Sequence, residues 1–128
     1  MAAGNLPIQV DLVIYAATTF HREFRWLPDG AIPQDFTGWT AVMLIGPQHG
    51  VALQQLTSPT GGLTLGTDGM VTITLTPAAT EALAAVDGLA YQLDLTEPAA
   101  PDPTAPAPTV TRFLRGRCNV VRDVEPAP

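Results

Sequence analysis

Lysine is absent from the 128-residue chain, serine and cysteine occur once each, and histidine occurs twice. Each shortage removes a class of chemistry. All six cations are arginines, at positions 22, 25, 112, 115, 117 and 122, against twelve acids, for a formal charge of -6. An acidic chain gains little from counterion release at a phosphate backbone, so nucleic acid is not an expected partner. The lone cysteine, Cys118, can form neither an internal disulfide nor a multi-cysteine metal site. It alternates with Leu114, Gly116 and Val120, which is the pattern of a small packed group rather than a reactive thiol. No apolar run approaches the ~20 residues of a membrane-spanning helix. Met1 to Asn5 has neither the basic nor the apolar region of a secretory leader, so neither membrane insertion nor classical export is expected.

What the chain has is period-two spacing. Ile8, Val10, Leu12 and Ile14 alternate with Gln9, Asp11, Val13 and Tyr15, as in a strand with one buried face. Phe20, Phe24 and Trp26 then share a face with Arg22, whose stem can cover apolar surface while its guanidinium reaches the sheet edge. His21, Glu23 and Arg25 take the other face. A third run, Thr40 to Ile45, places Ala41, Met43 and Ile45 on one side and Val42 and Leu44 on the other. With both faces apolar, it lies between two layers or borders another chain. Val51 to Leu56, Leu63 to Leu65, Met70 to Thr76, and Leu89, Tyr91, Leu93 and Leu95 continue the strand pattern. The Gly66–Gly69 segment reads as a hairpin turn.

One helix interrupts the strands. Thr76 suits its N-cap, Pro77 its first position and Gly88 its terminator, with Ala79, Ala82, Leu83 and Val86 as the buried stripe. From Glu97 to Thr109 the chain turns to proline and alanine, with Pro98, Pro101, Pro103, Pro106 and Pro108. This segment is expected to extend over the surface in polyproline II form, as the loop of a hairpin between the Leu89 strand and a last strand, Val110 to Val121. The expected fold is an antiparallel all-β sandwich with one short α-helix near 76–87. It forms a single domain with its core at 8–121, a Pro/Ala-rich loop at 97–109 and a tail at 122–128.

Chemistry-bearing motifs are scarce. His21 and His49 lack an i+4 partner and the H-E-x-x-H spacing of a zinc helix. Ser58 precedes a proline and has no G-x-S-x-G context. Asp29, Asp35, Asp68 and Asp87 sit in turn contexts, where carboxylates bond to local backbone. Gly61, Gly62 and Gly66 lack the spacing and lysine of a phosphate loop. No catalytic, cofactor or metal set is expected. Trp26 and Trp39, with Tyr15, would form a sugar-binding strip if exposed, although their apolar alternation favours the core. Arg112, Arg115 and Arg117 cluster on the last strand, with Arg115 and Arg117 facing outward beside Thr111 and Asn119. There they are solvated or meet an acidic neighbour on another chain.

The order of these features resembles a known family. Asp11-Leu12-Val13-Ile14-Tyr15, the aromatic strand Thr19 to Trp26, the turn Asp35-Phe36-Thr37-Gly38-Trp39, the strand and alanine-rich start Asp68 to Thr80, and Tyr91-Gln92-Leu93-Asp94-Leu95 follow its pattern. The family is the β-sandwich domain of tailed-bacteriophage tail and baseplate proteins, including baseplate-upper-protein N-terminal domains and the LtfC-like sandwich. Ala16-Ala17-Thr18 stands where the family has a Q-G-D-like turn, and the Pro-Ala excursion replaces a tight final hairpin. The resemblance implies a structural, non-enzymatic protein of the virion, tail- or baseplate-associated. Its partners would be other virion structural proteins or further copies of the same chain. A capsid decoration or head–tail connector protein, or a carbohydrate-binding module for host adsorption, are the alternatives. The expected contact residues are Val42, Leu44, Pro98, Pro101, Pro103, Pro106, Pro108, Arg115 and Arg117.

Overall fold

Alternating burial along the strands sorts them into two facing layers. The computed structural model describes residues 7–102 and 104–122. In chain order the elements are β1 (Ile8–Gln9), β2 (Leu12–Tyr15), β3 (Phe20–Arg25), β4 (Thr40–Pro47), β5 (Gln54–Thr57), β6 (Leu63–Leu65), β7 (Met70–Leu75), α1 (Pro77–Leu83), β8 (Leu89–Thr96) and β9 (Val110–Val121). The larger sheet has six strands in the order β1–β9–β8–β4–β5, with β2 continuing β1 along β9; the smaller has three, β3–β7–β6. The fold is an all-β sandwich with one short helix.

The core lies between the layers. Leu12, Ile14, Met43, Ile45, Leu93, Leu95 and Leu114 enter it from the larger sheet, and Leu63, Val71, Ile73 and Leu75 from the smaller. Burying one such side chain contributes about 1.5–3 kcal/mol, so this interface supplies most of the favourable free energy. The three successive N-terminal strands are not neighbours: β2 and β4 belong to the larger sheet and β3 to the smaller.

Pairing is not purely antiparallel as the sequence suggests. β1 and β2 run parallel to β9, with Ile8 beside Leu114 and Leu12 beside Cys118. No short turn links the first strand to the last, so hairpin geometry does not dictate their direction. The ladder breaks at Val10 and Asp11, and side chains mend it. The Asp11 carboxylate accepts the Arg117 N–H at 3.0 Å. The Tyr91 hydroxyl, 2.7 Å away, donates to the Val10 carbonyl. Gly116 makes this possible, because a Cβ there would lie 2.0 Å from the Val10 oxygen.

Strand β9 carries a second irregularity. Leu93 pairs with Leu114 and Asp94 with Arg112, leaving Phe113 as an extra residue in a bulge. Phe113 and Leu114 are therefore both buried. The shift moves Arg112 onto the outward face with Arg115 and Arg117, and Thr111 off it, which simple alternation does not foresee.

Other expectations need smaller corrections. β5 starts at Gln54, and Val51 is 86% exposed in the preceding loop. α1 ends at Leu83, capped as expected by the Thr76 hydroxyl, which accepts the Ala79 N–H at 3.2 Å. Its buried side includes Thr80 rather than Ala82, because the Thr80 hydroxyl reaches the Thr18 carbonyl at 2.8 Å and ties the helix to the β2–β3 turn. Arg22 is exposed on the edge strand β3, its guanidinium 5.1 Å from the centre of the Phe24 ring. The β8–β9 loop does close a long hairpin, with Glu97 N–H donating to the Thr109 carbonyl at 3.1 Å. Within it Asp102 accepts the Thr104 N–H at 2.9 Å, so the segment bends there instead of running straight.

The Gly116→Ala variant is expected to lose about 3 kcal/mol of stability in urea denaturation, because backbone has to move to admit the methyl group. The Tyr91→Phe variant removes only the hydrogen bond to Val10 and is expected to lose about 1 kcal/mol.

Candidate functional site

The smaller sheet covers one face of the larger. The other face carries Val13 and Tyr15, each about half exposed, with Val42 at 37% exposure, half-buried Leu44, and exposed Arg112, Arg115, Arg117 and Asn119. β4 is interior to its sheet, yet its outward residues meet no second layer. Of the two situations that a two-sided apolar strand allows, the described residues leave this one uncovered.

A trough of about 670 Å³ runs across this face. Its floor is low because Gly46 and Ala90, paired in register, have little or no side chain. One wall is the β4–β5 loop from Pro47 to Gly50, turned by a Gly50 N–H to Pro47 carbonyl bond of 2.9 Å and by a positive φ of 63° at His49. This loop folds back so closely that a Cβ on Gly46 would meet the Val51 carbonyl at 2.8 Å. The opposite wall is β9 with Arg112, Arg115 and Arg117. Arg112 holds Asp94 in a two-pronged ion pair, Nε to Oδ1 at 2.8 Å and Nη2 to Oδ2 at 3.2 Å. That pairing stabilises the guanidinium charge and raises the Arg112 pKa above its usual value. Arg115 reaches the Gln9 side chain at 3.3 Å.

A smaller cleft of about 290 Å³ lies between Phe36–Thr40 and Ser58–Thr67. Its lining includes hydroxyls but no ionisable side chain. The Ser58 hydroxyl accepts the Ala41 N–H at 2.8 Å, while the Ser58 N–H donates to the Ala41 carbonyl at 3.1 Å. This serine spends its polar groups on joining the loop to β4.

No family model matches the chain, and no curated protein matches it.

The residues singled out in the sequence fall in different places. Val42, Leu44, Arg115 and Arg117 share the outer face of the larger sheet. Pro98 instead packs beside Gly38, whose Cβ position lies 3.2 Å from the proline ring. Pro101, Pro106 and Pro108 are exposed on the loop, and Pro103 lies outside the described residues. The possible sugar strip is not assembled. Trp26 and Trp39 join Phe36 and Phe113 in one aromatic cluster with ring centres 5.4–6.2 Å apart, while Tyr15 lies on the outer sheet face. His21 sits on β3, its Nδ1 3.3 Å from the Thr74 hydroxyl, and His49 stands at the trough wall. Among the described residues no three of His, Cys, Asp and Glu converge as metal ligands, and no helix is long and apolar enough to cross a membrane.

Sequence reasoning missed Gly46 and Ala90, and weighed His49 only as a metal ligand. The Gly46-Pro47 pair reads as a strand breaker, and only its register opposite Ala90 turns it into a trough floor.

Burial pushes the Cys118 thiol up to about 12 from 9.0, with the Asp11 carboxylate adding to the effect. Burial likewise raises the Tyr91 phenol. Above pH 9.0 the unfolded chain releases the Cys118 proton that the folded chain keeps up to about 12. Stability from this group is therefore complete below the unfolded value and falls as pH rises across that window, with a limiting slope of about 1.4 kcal/mol per pH unit. Urea midpoints measured across the window should drop, and Cys118→Ala should reduce the slope.

Proposed function

We propose that this chain is a non-enzymatic structural component of a tailed-phage virion, tail- or baseplate-associated, and that it acts by assembly with neighbouring proteins. The observation that carries this reading is the uncovered outer face of the larger sheet. Half-buried Leu44 and exposed Val42 lie there with Arg115 and Arg117, two exposed arginines two residues apart on one strand. An apolar centre beside planar, multivalent donors is the composition of a protein contact, and arginine is enriched in such patches. The described concavities offer no paired acids and no nucleophile–base set, and Ser58 is engaged with backbone. The sequence likeness to phage sandwich domains supplies the setting.

The β8–β9 loop is a second contact element in this reading. Its prolines restrict the unbound loop, so docking costs less conformational entropy than it does for a flexible segment. The Glu97–Thr109 bond closes the base of the loop, and Pro101, Pro106 and Pro108 beyond it are exposed.

Virions produced from the genome that encodes the chain are expected to contain it, and a particle map should place it on the tail or baseplate. Recovery of the chain only in the soluble fraction after infection would refute the assignment. Replacing residues 99–107 with a short Asn-Gly turn should preserve the folded domain but lower its incorporation into particles. Unchanged incorporation would remove the loop from the mechanism.

A further inference from the structure

Three arginines share one face of the larger sheet, where Asp94 pairs with Arg112 and Asp11 accepts the Arg117 N–H. Arg112, Arg115, Arg117 and His49 line the trough and no Asp or Glu does, although the chain has twelve acids and only six arginines. Arg112 is committed to Asp94, whereas Arg115 and Arg117 have no carboxylate partner among the described residues. The wall thus presents two guanidinium groups above a floor of Gly46, Ala90 and Leu44.

Several carboxylates lie at the other end of the strands, one of them, Asp68, paired with Arg25 at 3.5 Å. Asp29 and Asp35 lie in the β3–β4 loop, Asp68 in the β6–β7 turn, and Glu97 and Asp102 in the β8–β9 loop. Backbone bonds tie the first two segments together, Trp26 N–H to the Gly69 carbonyl at 2.8 Å and Phe36 N–H to the Gly66 carbonyl at 3.3 Å, while Gln34 N–H to the Trp26 carbonyl at 3.0 Å folds the β3–β4 loop on itself. Pro98 beside Gly38 brings the third against them. Asp29 uses Oδ1 to accept the Ala31 and Ile32 N–H groups, and Asp35 uses Oδ1 to accept from Thr37. These bonds hold both carboxyls below the usual carboxylate range, so both stay ionised at neutral pH. Between the two acids stands Ile32, a large apolar side chain that is 68% exposed.

This loop and the trough are complementary in charge, with Asp29 and Asp35 on one and Arg115 and Arg117 on the other. One carries the exposed Ile32 between two acids in sequence; the other has a floor of Leu44, Gly46 and Ala90 with guanidinium groups along one wall. They lie toward opposite ends of the eight-residue strand β4, which spans roughly 23 Å at about 3.3 Å per residue. A single copy therefore cannot satisfy its own trough.

We infer that the trough of one copy receives the Asp29–Asp35 loop of a second copy, with Ile32 over Leu44 and Ala90 and the two carboxylates on Arg115 and Arg117. The contact is heterologous. Each copy keeps a vacant trough or a vacant loop for the next, so association proceeds to a ring or a filament rather than stopping at a two-fold dimer. The inference goes beyond the proposed virion role, because it needs only two surfaces of this chain.

Sedimentation velocity on the purified chain from micromolar to millimolar concentration tests it. At about 50 mM NaCl the wild type should associate with rising concentration, and at about 500 mM the association should weaken at least about tenfold, because exposed charge pairs are screened. The Arg115→Glu/Arg117→Glu variant should remain monomeric. The Asp29→Asn/Asp35→Asn variant keeps the turn acceptors but loses the charges, and Ile32→Ser removes the apolar side chain; each should weaken association by about tenfold or more. Far-UV circular dichroism and thermal melts establish that the variants are folded. A wild type that stays monomeric at low salt overturns the inference, and so does undiminished association of the folded arginine or aspartate variant. Particle localisation is unaffected by either result, so the two proposals fail separately.

Discussion

The close approach of the Val10 carbonyl to Gly116 is the constraint on which the larger sheet depends. A parallel strand joined to the far end of the chain has no turn to set its register. Here register comes from side chains that replace two missing ladder bonds: Asp11 accepts the Arg117 N–H, and Tyr91 donates to Val10. Both substitutions need the backbones to meet where any Cβ would collide. These bonds give the Val10 carbonyl and the Arg117 N–H partners where the ladder supplies none, the first part-buried and the second exposed. Leu12 and Ile14 then fall on the core side, and Val13 and Tyr15 on the outer side.

The outer face follows from the same strand. One extra residue, Phe113, lets β9 bury two consecutive apolar side chains, and the aromatic one completes the cluster with Trp26. The shift of phase returns Arg112 to the face of Arg115 and Arg117. Core packing and surface charge are thus coupled through a single bulge. A side chain added to the core side reassigns an arginine on the opposite side of the sheet.

Using arginine alone has physical consequences for that face. A guanidinium remains charged at any pH the fold survives, and its planar fork holds Asp94 through two bonds at once. Arg22 lies over Phe24 in a manner an ammonium group matches less well. With so few cations, their placement matters more than their number. Three stand on one strand of a molecule whose net charge is negative, Arg112 paired with Asp94 and Arg115 and Arg117 without a carboxylate partner among the described residues.

The alternation of apolar residues determined the strands, their buried faces, the all-β class, the cap and start of α1, and the packed position of Cys118, because a two-residue period and a helix cap are local properties of the chain. Val42 and Leu44 were legible as apolar residues on the face opposite Ala41, Met43 and Ile45 for the same reason. What the alternation left open was decided by contacts between distant segments. These include the parallel seam of β1 and β2 with β9, the assignment of β3 to the second layer, the bulge at Phe113, the burial of Thr80 and the meeting of Gly46 with Ala90. Register and layer depend on which strands pair, and pairing is settled by packing across the whole domain.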